Sequence, residues 1–123
     1  MVDIIPRMNQ LLDIELLSGF APDASDQADL LQTMLESLSQ DIEQLDRPMD
    51  PAELHRILHT LKGYLCYATR APIWQALSDW CERTRTGDPA QCQAFFQVWP
   101  SLKPGLLQLK QAIQAWLSSY HSR

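Results

Sequence analysis

The sequence is poor in glycine and lacks the alternation typical of β-strands. It contains four glycines in 123 residues, and no stretch alternates Val, Ile or Thr with polar residues. That alternation is the mark of a half-buried strand, so a sheet-based fold is excluded. Hydrophobic residues make up 46% of the chain and charged residues 20%, as in folded proteins with one core. We expect an all-α protein with a single domain over residues 1–123 and a core from about 26 to 117.

Basic clusters and long apolar runs are also missing. The net charge is −5, and nucleic-acid binding needs clustered Lys and Arg. A protein partner is therefore the better expectation. No run approaches the roughly 20 apolar residues of a membrane span, and the first residues lack the basic-then-apolar order of a signal peptide. We expect a cytoplasmic protein that does not insert into membranes.

Three cysteines, Cys66, Cys81 and Cys92, show no C-x-x-C spacing. An odd number without such spacing is unlike a secreted disulfide framework or a zinc motif. We expect reduced thiols, with Cys81 and Cys92 as small core residues.

Two segments carry the same helix-start signal. Asp50 and Asp88 are each followed directly by a proline. An Asp N-cap and a Pro at the first helical position satisfy the free N–H groups of a helix start. The first signal predicts a helix from Pro51 to about Thr69. The next helix is predicted to open at Pro72 and to end at Gly87.

Apolar spacing predicts the remaining helices. A short first helix, with Met8 to Leu16 at helical spacing, should stop at Gly19 and lie across one end of the fold like a lid. A second should start near Ser25 and carry apolar residues to Leu45. The last should break at Pro100 and restart near Ser101, because an interior proline loses a hydrogen bond and clashes one turn back. Short connections then predict an antiparallel, up-and-down four-helix bundle with an additional short N-terminal helix.

One stripe of the third predicted helix carries candidate chemistry. At about 100° per residue, six residues fall within about 60° of His59 around the helix axis. They are His55, Arg56, Lys62, Gly63, Cys66 and Arg70. A mostly neutral imidazole keeps a lone pair that can attack phosphorus, and a Lys one turn away can stabilise phosphoryl oxygens. A glycine one turn away leaves room for a partner, at about 1 kcal/mol in helix propensity.

The segment His59-Thr60-Leu61-Lys62-Gly63 resembles the H-x-L-K-G signature of histidine-containing phosphotransfer domains. These domains are antiparallel four-helix bundles with the signature on the second bundle helix. The resemblance continues in the next helix, where Trp80-Cys81-Glu82 and Arg85-Thr86-Gly87-Asp88 are similar to a central Cys and an R-x-G-D-like loop. It covers roughly residues 26–117.

The resemblance implies a phosphoryl carrier rather than a kinase. His59 would be phosphorylated, Lys62 would help to hold the phosphoryl group and Gly63 would permit docking of a receiver domain. Arg56, Cys66, Arg70 and His55 are secondary candidates for phosphoryl stabilisation or docking. Partners would be receiver domains of response regulators or a hybrid histidine kinase, of which this could be the C-terminal domain. We expect a monomer with no cofactor or metal of its own, the receiver supplying Mg²⁺, and the sequence has no Gly-rich phosphate loop for ATP.

The sequence departs from the family pattern after the signature. Tyr64 and Leu65 replace small residues, and Thr69 replaces a glycine, but the first two lie about 120° to 140° from His59 and should pack inward. These departures leave open a degenerate bundle that only binds a signalling partner. A third reading is a Zn²⁺ site at His55, His59 and Cys66, since His at i and i+4 is a ligand spacing, although the nearby cations oppose it.

Overall fold

In a computed structural model the chain is helical, as the composition predicts. The structure describes residues 11–70 and 72–122, and within them all regular secondary structure is helix. There are five helices in this part: α1 (Ile14–Phe20), α2 (Ala24–Leu45), α3 (Pro51–Leu65), α4 (Pro72–Arg83) and α5 (Pro89–His121). The all-α prediction is therefore confirmed.

The four longer helices surround one apolar core. Helix α2 packs against α3 and α5, and α4 packs against the same two helices. Fully buried side chains from every one of them meet inside, among them Leu38, Leu58, Leu77 and Phe95. Burying a side chain of this size contributes about 1.5–3 kcal/mol. Helix α3, which carries the candidate residues, is therefore held in place by contacts with α2, α4 and α5.

Both predicted helix starts are confirmed. Asp50 Oδ1 accepts a hydrogen bond from the Glu53 N–H at 2.8 Å, and Asp88 Oδ1 accepts one from the Ala90 N–H at 2.9 Å. Pro51 and Pro89 open their helices. Helix α2 begins slightly earlier than predicted, with Asp23 rather than Ser25 at the N-cap.

The predicted break at Pro100 is wrong. Helix α5 runs without interruption through Pro100 and Pro104. Both prolines are exposed, and at a spacing of four they share the solvent side, where water can solvate the carbonyls that lose a partner. On the same stretch, the buried Trp99 and the half-buried Lys103 bind the exposed Asp46: Trp99 Nε1–H and Lys103 Nζ donate to its two carboxylate oxygens, at 2.9 and 2.8 Å. Tertiary contacts thus outweigh the local proline penalty.

The short first helix is present, but its predicted extent is wrong. Asp13 is the N-cap of α1, and its Oδ1 accepts from the Leu16 N–H at 3.0 Å, so Leu11 and Leu12 lie before the helix. Met8 lies outside the described residues. The Asp13 N–H donates to the Ala68 carbonyl at 2.7 Å, which places the start of α1 beside the turn after α3.

The ends of α3 and α4 fall short of the predicted limits. Helix α3 ends at Leu65 with Cys66 as its C-cap, and turns carry the chain to Thr69. Helix α4 ends at Arg83, and Gly87 follows with φ of 76°, a left-handed conformation that favours glycine. Among the described helices, none combines the length and apolarity needed to cross a membrane.

Candidate functional site

Helix α3 presents its candidate residues opposite a fully buried face. Leu54, Leu58 and Leu61 are inaccessible to solvent, whereas His59 and Gly63 are exposed. This division follows from the 3.6-residue period of an amphipathic helix. His59 therefore lies on the solvent side of the helix, next to the buried Leu58.

The His59 ring is not engaged by other groups of the chain, so far as residues 11–70 and 72–122 are concerned. It makes no hydrogen bond or ion pair there, and its one close aromatic neighbour is His55, whose ring centroid lies 6.1 Å away at an interplanar angle of 28°. Each ring nitrogen of His59 is therefore accessible to a reaction partner.

His55 differs from His59 in being anchored. It is half-buried, and its Nδ1 lies 3.1 Å from the Cys81 carbonyl oxygen and 3.4 Å from Thr84 Oγ1. A carbonyl only accepts, so His55 Nδ1 must carry the proton. The contact fixes the tautomer of His55 and joins α3 to α4.

Lys62 places an unpaired cation one turn from His59. Its ammonium has no carboxylate partner within the part of the chain that the structure describes. The Lys62 carbonyl, in contrast, is held: it accepts from Trp74 Nε1–H at 3.1 Å and from the Cys66 N–H at 3.3 Å. The backbone is thus fixed to α4 while the charge stays available to an anion.

Gly63 has no packing reason to be glycine. A Cβ atom placed on it would meet nothing within 4 Å beyond its own turn of helix, as far as the described residues extend. Its φ is not positive, so any L-residue could adopt its backbone conformation. The cost of about 1 kcal/mol against alanine in a helix is therefore not offset inside the molecule.

The predicted stripe also includes Arg56, Arg70 and Cys66, and each of these side chains has a different environment. Arg56 is paired with Glu53, Nη2 to Oε1 at 2.6 Å. Arg70 is exposed but lies beyond the end of α3, so the helical arithmetic that placed it on the stripe was wrong for this residue. Cys66 is half-buried and its thiol donates to the Gly63 carbonyl at 3.1 Å. Lys62 is therefore the most available of the predicted cations on α3.

The residues that depart from the family signature lie away from His59. Leu65 is fully buried, Thr69 is 1% exposed, and Tyr64 packs against the core while its hydroxyl donates to Asp41 Oδ2 at 2.9 Å. Burial raises the pKa of the Tyr64 phenol, and the neighbouring Asp41 adds to the effect, so this hydroxyl remains a donor. The prediction that Tyr64 and Leu65 pack inward is confirmed.

The third reading of the sequence placed a Zn²⁺ site at His55, His59 and Cys66. Within the described ranges no three His, Cys, Asp or Glu side chains lie close enough to hold an ion. Of the predicted ligands, the Cys66 thiol donates to the Gly63 carbonyl and His55 Nδ1–H to the Cys81 carbonyl, which leaves His55 Nε2 unengaged within the described residues.

Two contacts of the site could not be predicted from the sequence. The Trp74 indole N–H ties α4 to the Lys62 carbonyl of α3. His55 was placed on the stripe, but its bond to the Cys81 carbonyl joins residues 26 positions apart. No local pattern reports a partner at that separation, so only the packing of α3 on α4 could reveal them.

Comparison with protein-family models, with curated proteins and with solved structures found no match to this chain.

Proposed function

We propose that the chain is a histidine-containing phosphotransfer domain, in which His59 accepts and donates a phosphoryl group in a multistep phosphorelay. The observation that carries the proposal is the group of three positions on α3: an exposed, unengaged imidazole, an unpaired ammonium one turn away and a glycine facing open space. No packing contact accounts for that glycine, whereas a partner surface approaching His59 would.

The proposal includes the arrangement of the helices. Short connections between α2, α3, α4 and α5 favour an antiparallel, up-and-down four-helix bundle. The pairwise contacts of α2 and α4, each with both α3 and α5, fit such a bundle. In it α3 would be the second bundle helix and α1 an addition at the end where α3 finishes.

The chemistry follows from the charge that phosphoryl transfer develops. A lone pair of the neutral His59 ring attacks phosphorus, the P–O bond of the receiver's aspartyl phosphate breaks, and the aspartate leaves as a carboxylate. Charge spreads over the three equatorial phosphoryl oxygens, and the Lys62 ammonium is placed to stabilise it. The reverse reaction returns the group to another receiver.

In this account the chain is a carrier and not a kinase. The receiver provides the Mg²⁺ and the aspartate, and the chain provides the imidazole, the ammonium and the open approach at Gly63. Receiver domains and a hybrid histidine kinase are the proposed partners, the cytoplasm is the proposed compartment, and the carrier acts as a monomer.

The test is acceptance of label from receiver domains of the source genome, each charged with radiolabelled acetyl phosphate in the presence of Mg²⁺. We expect label on the chain from at least one receiver and none from ATP alone. The bond should be lost in acid and kept in base, as a phosphoramidate is.

The matched control is the pair His59→Gln and His121→Gln. His121 is an exposed histidine at the end of α5, so its replacement should leave transfer intact. Label that persists in His59→Gln contradicts the proposal. A receiver that binds without transferring would instead support a degenerate, binding-only bundle.

A further inference from the structure

The ring of His55 is held through its Nδ1 atom, so Nε2 is the nitrogen that can bind another group. Its Nδ1–H donates to the Cys81 carbonyl, and Thr84 Oγ1, itself bonded to the Trp80 carbonyl at 2.8 Å, lies alongside. Within the described part of the chain, Nε2 has no partner. In the neutral ring Nε2 therefore carries the lone pair and is the site where a proton would be added.

This free nitrogen belongs to the ring nearest His59. The two centroids are 6.1 Å apart and the rings are close to parallel. A phosphoryl group on His59 extends two bond lengths beyond a ring nitrogen, and the exposed His59 side chain can rotate to bring one of its oxygens to His55 Nε2. Because α4 holds His55 in place, little side-chain entropy is lost when such a contact forms.

We propose that His55 is a phosphoryl-binding group: once His59 is phosphorylated, His55 Nε2 takes a proton from hydronium or a buffer acid and donates a hydrogen bond to a phosphoryl oxygen, prolonging the life of the phosphohistidine. The inference rests on the proposed function and deepens it. It distinguishes His55, whose ring is anchored, from Arg56, whose guanidinium is already paired with Glu53.

The physical basis is the charge of the phosphoryl group. An anion within about 4–6 Å favours the protonated form of an imidazole, and a hydrogen bond between two charged groups is stronger than a neutral one. A phosphoryl group on His59 supplies that anion.

Several of the other ionisable groups around α3 are neutral or paired. On α3 itself Arg56 is paired with Glu53, and in and after α4 Arg85 is paired with Glu82 at 3.1 Å. Facing α3 from α2 is Asp41, bonded to Tyr64. Burial raises the pKa of the Cys81 thiol of α4 and the Cys92 thiol of α5, which keeps both protonated. Phosphorylation of His59 would therefore bring an unpaired anion to the His55 ring.

Two variants of His55 separate the effect of its hydrogen bond to the Cys81 carbonyl from the effect of its free Nε2 atom. His55→Asn keeps an N–H donor near the Nδ1 position for the Cys81 carbonyl and removes Nε2. His55→Gln places a neutral amide near the Nε2 position and gives up the anchor. His121→Asn is the control for loss of a surface histidine.

The experiment charges His59 with potassium phosphoramidate, whose N–P bond breaks as ammonia leaves, and follows hydrolysis of the phosphohistidine near pH 6.5. We expect His55→Asn to shorten its lifetime by about tenfold, His55→Gln to shorten it less and His121→Asn to leave it unchanged. A lifetime in His55→Asn equal to that of the wild type would overturn the inference.

A second measurement uses the unaltered chain and does not depend on how the variants fold. In ¹H–¹⁵N spectra of the imidazoles near pH 6.5, phosphorylation of His59 should move the His55 ring signals toward those of a doubly protonated imidazole. Unchanged His55 signals on a fully phosphorylated chain overturn the inference and leave the proposed function intact. If neither phosphoramidate nor a charged receiver labels His59, both fail.

Discussion

The Tyr64 hydroxyl donates to Asp41 Oδ2 at 2.9 Å, and this bond ties α3 to α2 on the side away from His59. The residue that departs most visibly from the family signature thus serves the packing of α3. Its bulk occupies the contact with α2 and leaves the surface around His59 open.

Removing this hydroxyl should weaken the fold and spare the site. In Tyr64→Phe the half-buried Asp41 loses its donor, and we expect the free energy of unfolding to fall by about 1–2 kcal/mol in urea denaturation at neutral pH. Tyr120→Phe is the control, since the Tyr120 hydroxyl has no hydrogen bond within the described part of the chain, and should change stability by less than about 0.5 kcal/mol. Equal effects of the two variants would contradict the role assigned to Tyr64.

Asp41 should also make stability depend on pH. Burial raises its pKa above the ordinary 3.8, although the Tyr64 bond and the charge of Arg56 act against the shift. A carboxyl whose pKa is raised on folding binds more protons in the folded state, so its contribution is present below the ordinary pKa and is lost as pH rises through the raised one.

Asp41→Asn keeps an acceptor for Tyr64 and cannot ionise. Its free energy of unfolding should therefore improve relative to the wild type as pH rises from roughly 3 to 7, measured by urea denaturation at each pH. A difference that is flat or falls over this range would contradict the account of Asp41.

The continuity of α5 makes a prediction about its prolines. Pro100→Ala restores an N–H that can bond to the Phe96 carbonyl, which stabilises the helix. It also removes the restriction that proline places on the unfolded chain, which offsets part of that gain. We expect a net rise of roughly 1–2 kcal/mol in the free energy of unfolding. Pro72→Ala is the matched control, because a first helical residue needs no N–H partner, and should change little. A destabilised Pro100→Ala variant would indicate that the helix is interrupted there.

Replacing Gly63 with alanine should raise the stability of the chain and impair the docking of a receiver. Gly63→Ala meets open space, so the free energy of unfolding should rise by about 1 kcal/mol. Transfer from a charged receiver should slow by about tenfold or more, since a small misplacement of the reacting groups is costly. Labelling by the small donor phosphoramidate should be unaffected.

Gly19→Ala provides the control, because Gly19 also faces open space but lies on α1. It should gain helix stability without changing transfer. If Gly63→Ala transfers as fast as Gly19→Ala, Gly63 is not there for a partner.

The sequence predicted those features that depend on neighbours along the chain. Asp50 with Pro51 and Asp88 with Pro89 mark helix starts because a cap acts within one turn, and the leucines of α3 mark its buried face because the helical period is local. The placement of His59 in solvent followed from that face.

The errors occurred where distant contacts decide. Proline propensity predicted a break at Pro100, but Trp99 and Lys103 both bind Asp46, more than 50 residues earlier. Arg70 was placed by extending a helix that ends at Leu65. The anchoring of His55 by the Cys81 carbonyl could not be predicted either, since it requires the packing of two helices.

The most direct test of the account asks whether His59 passes its phosphoryl group on. The chain is charged with labelled phosphoramidate, freed of the donor and mixed with uncharged receiver domains of the source genome and Mg²⁺. The account predicts that label leaves the wild-type chain and His121→Gln and appears on a receiver aspartate, while His59→Gln never takes up label. Label that stays on the chain with every receiver, or that reaches a receiver from His59→Gln, would contradict the claim that His59 is the carrier.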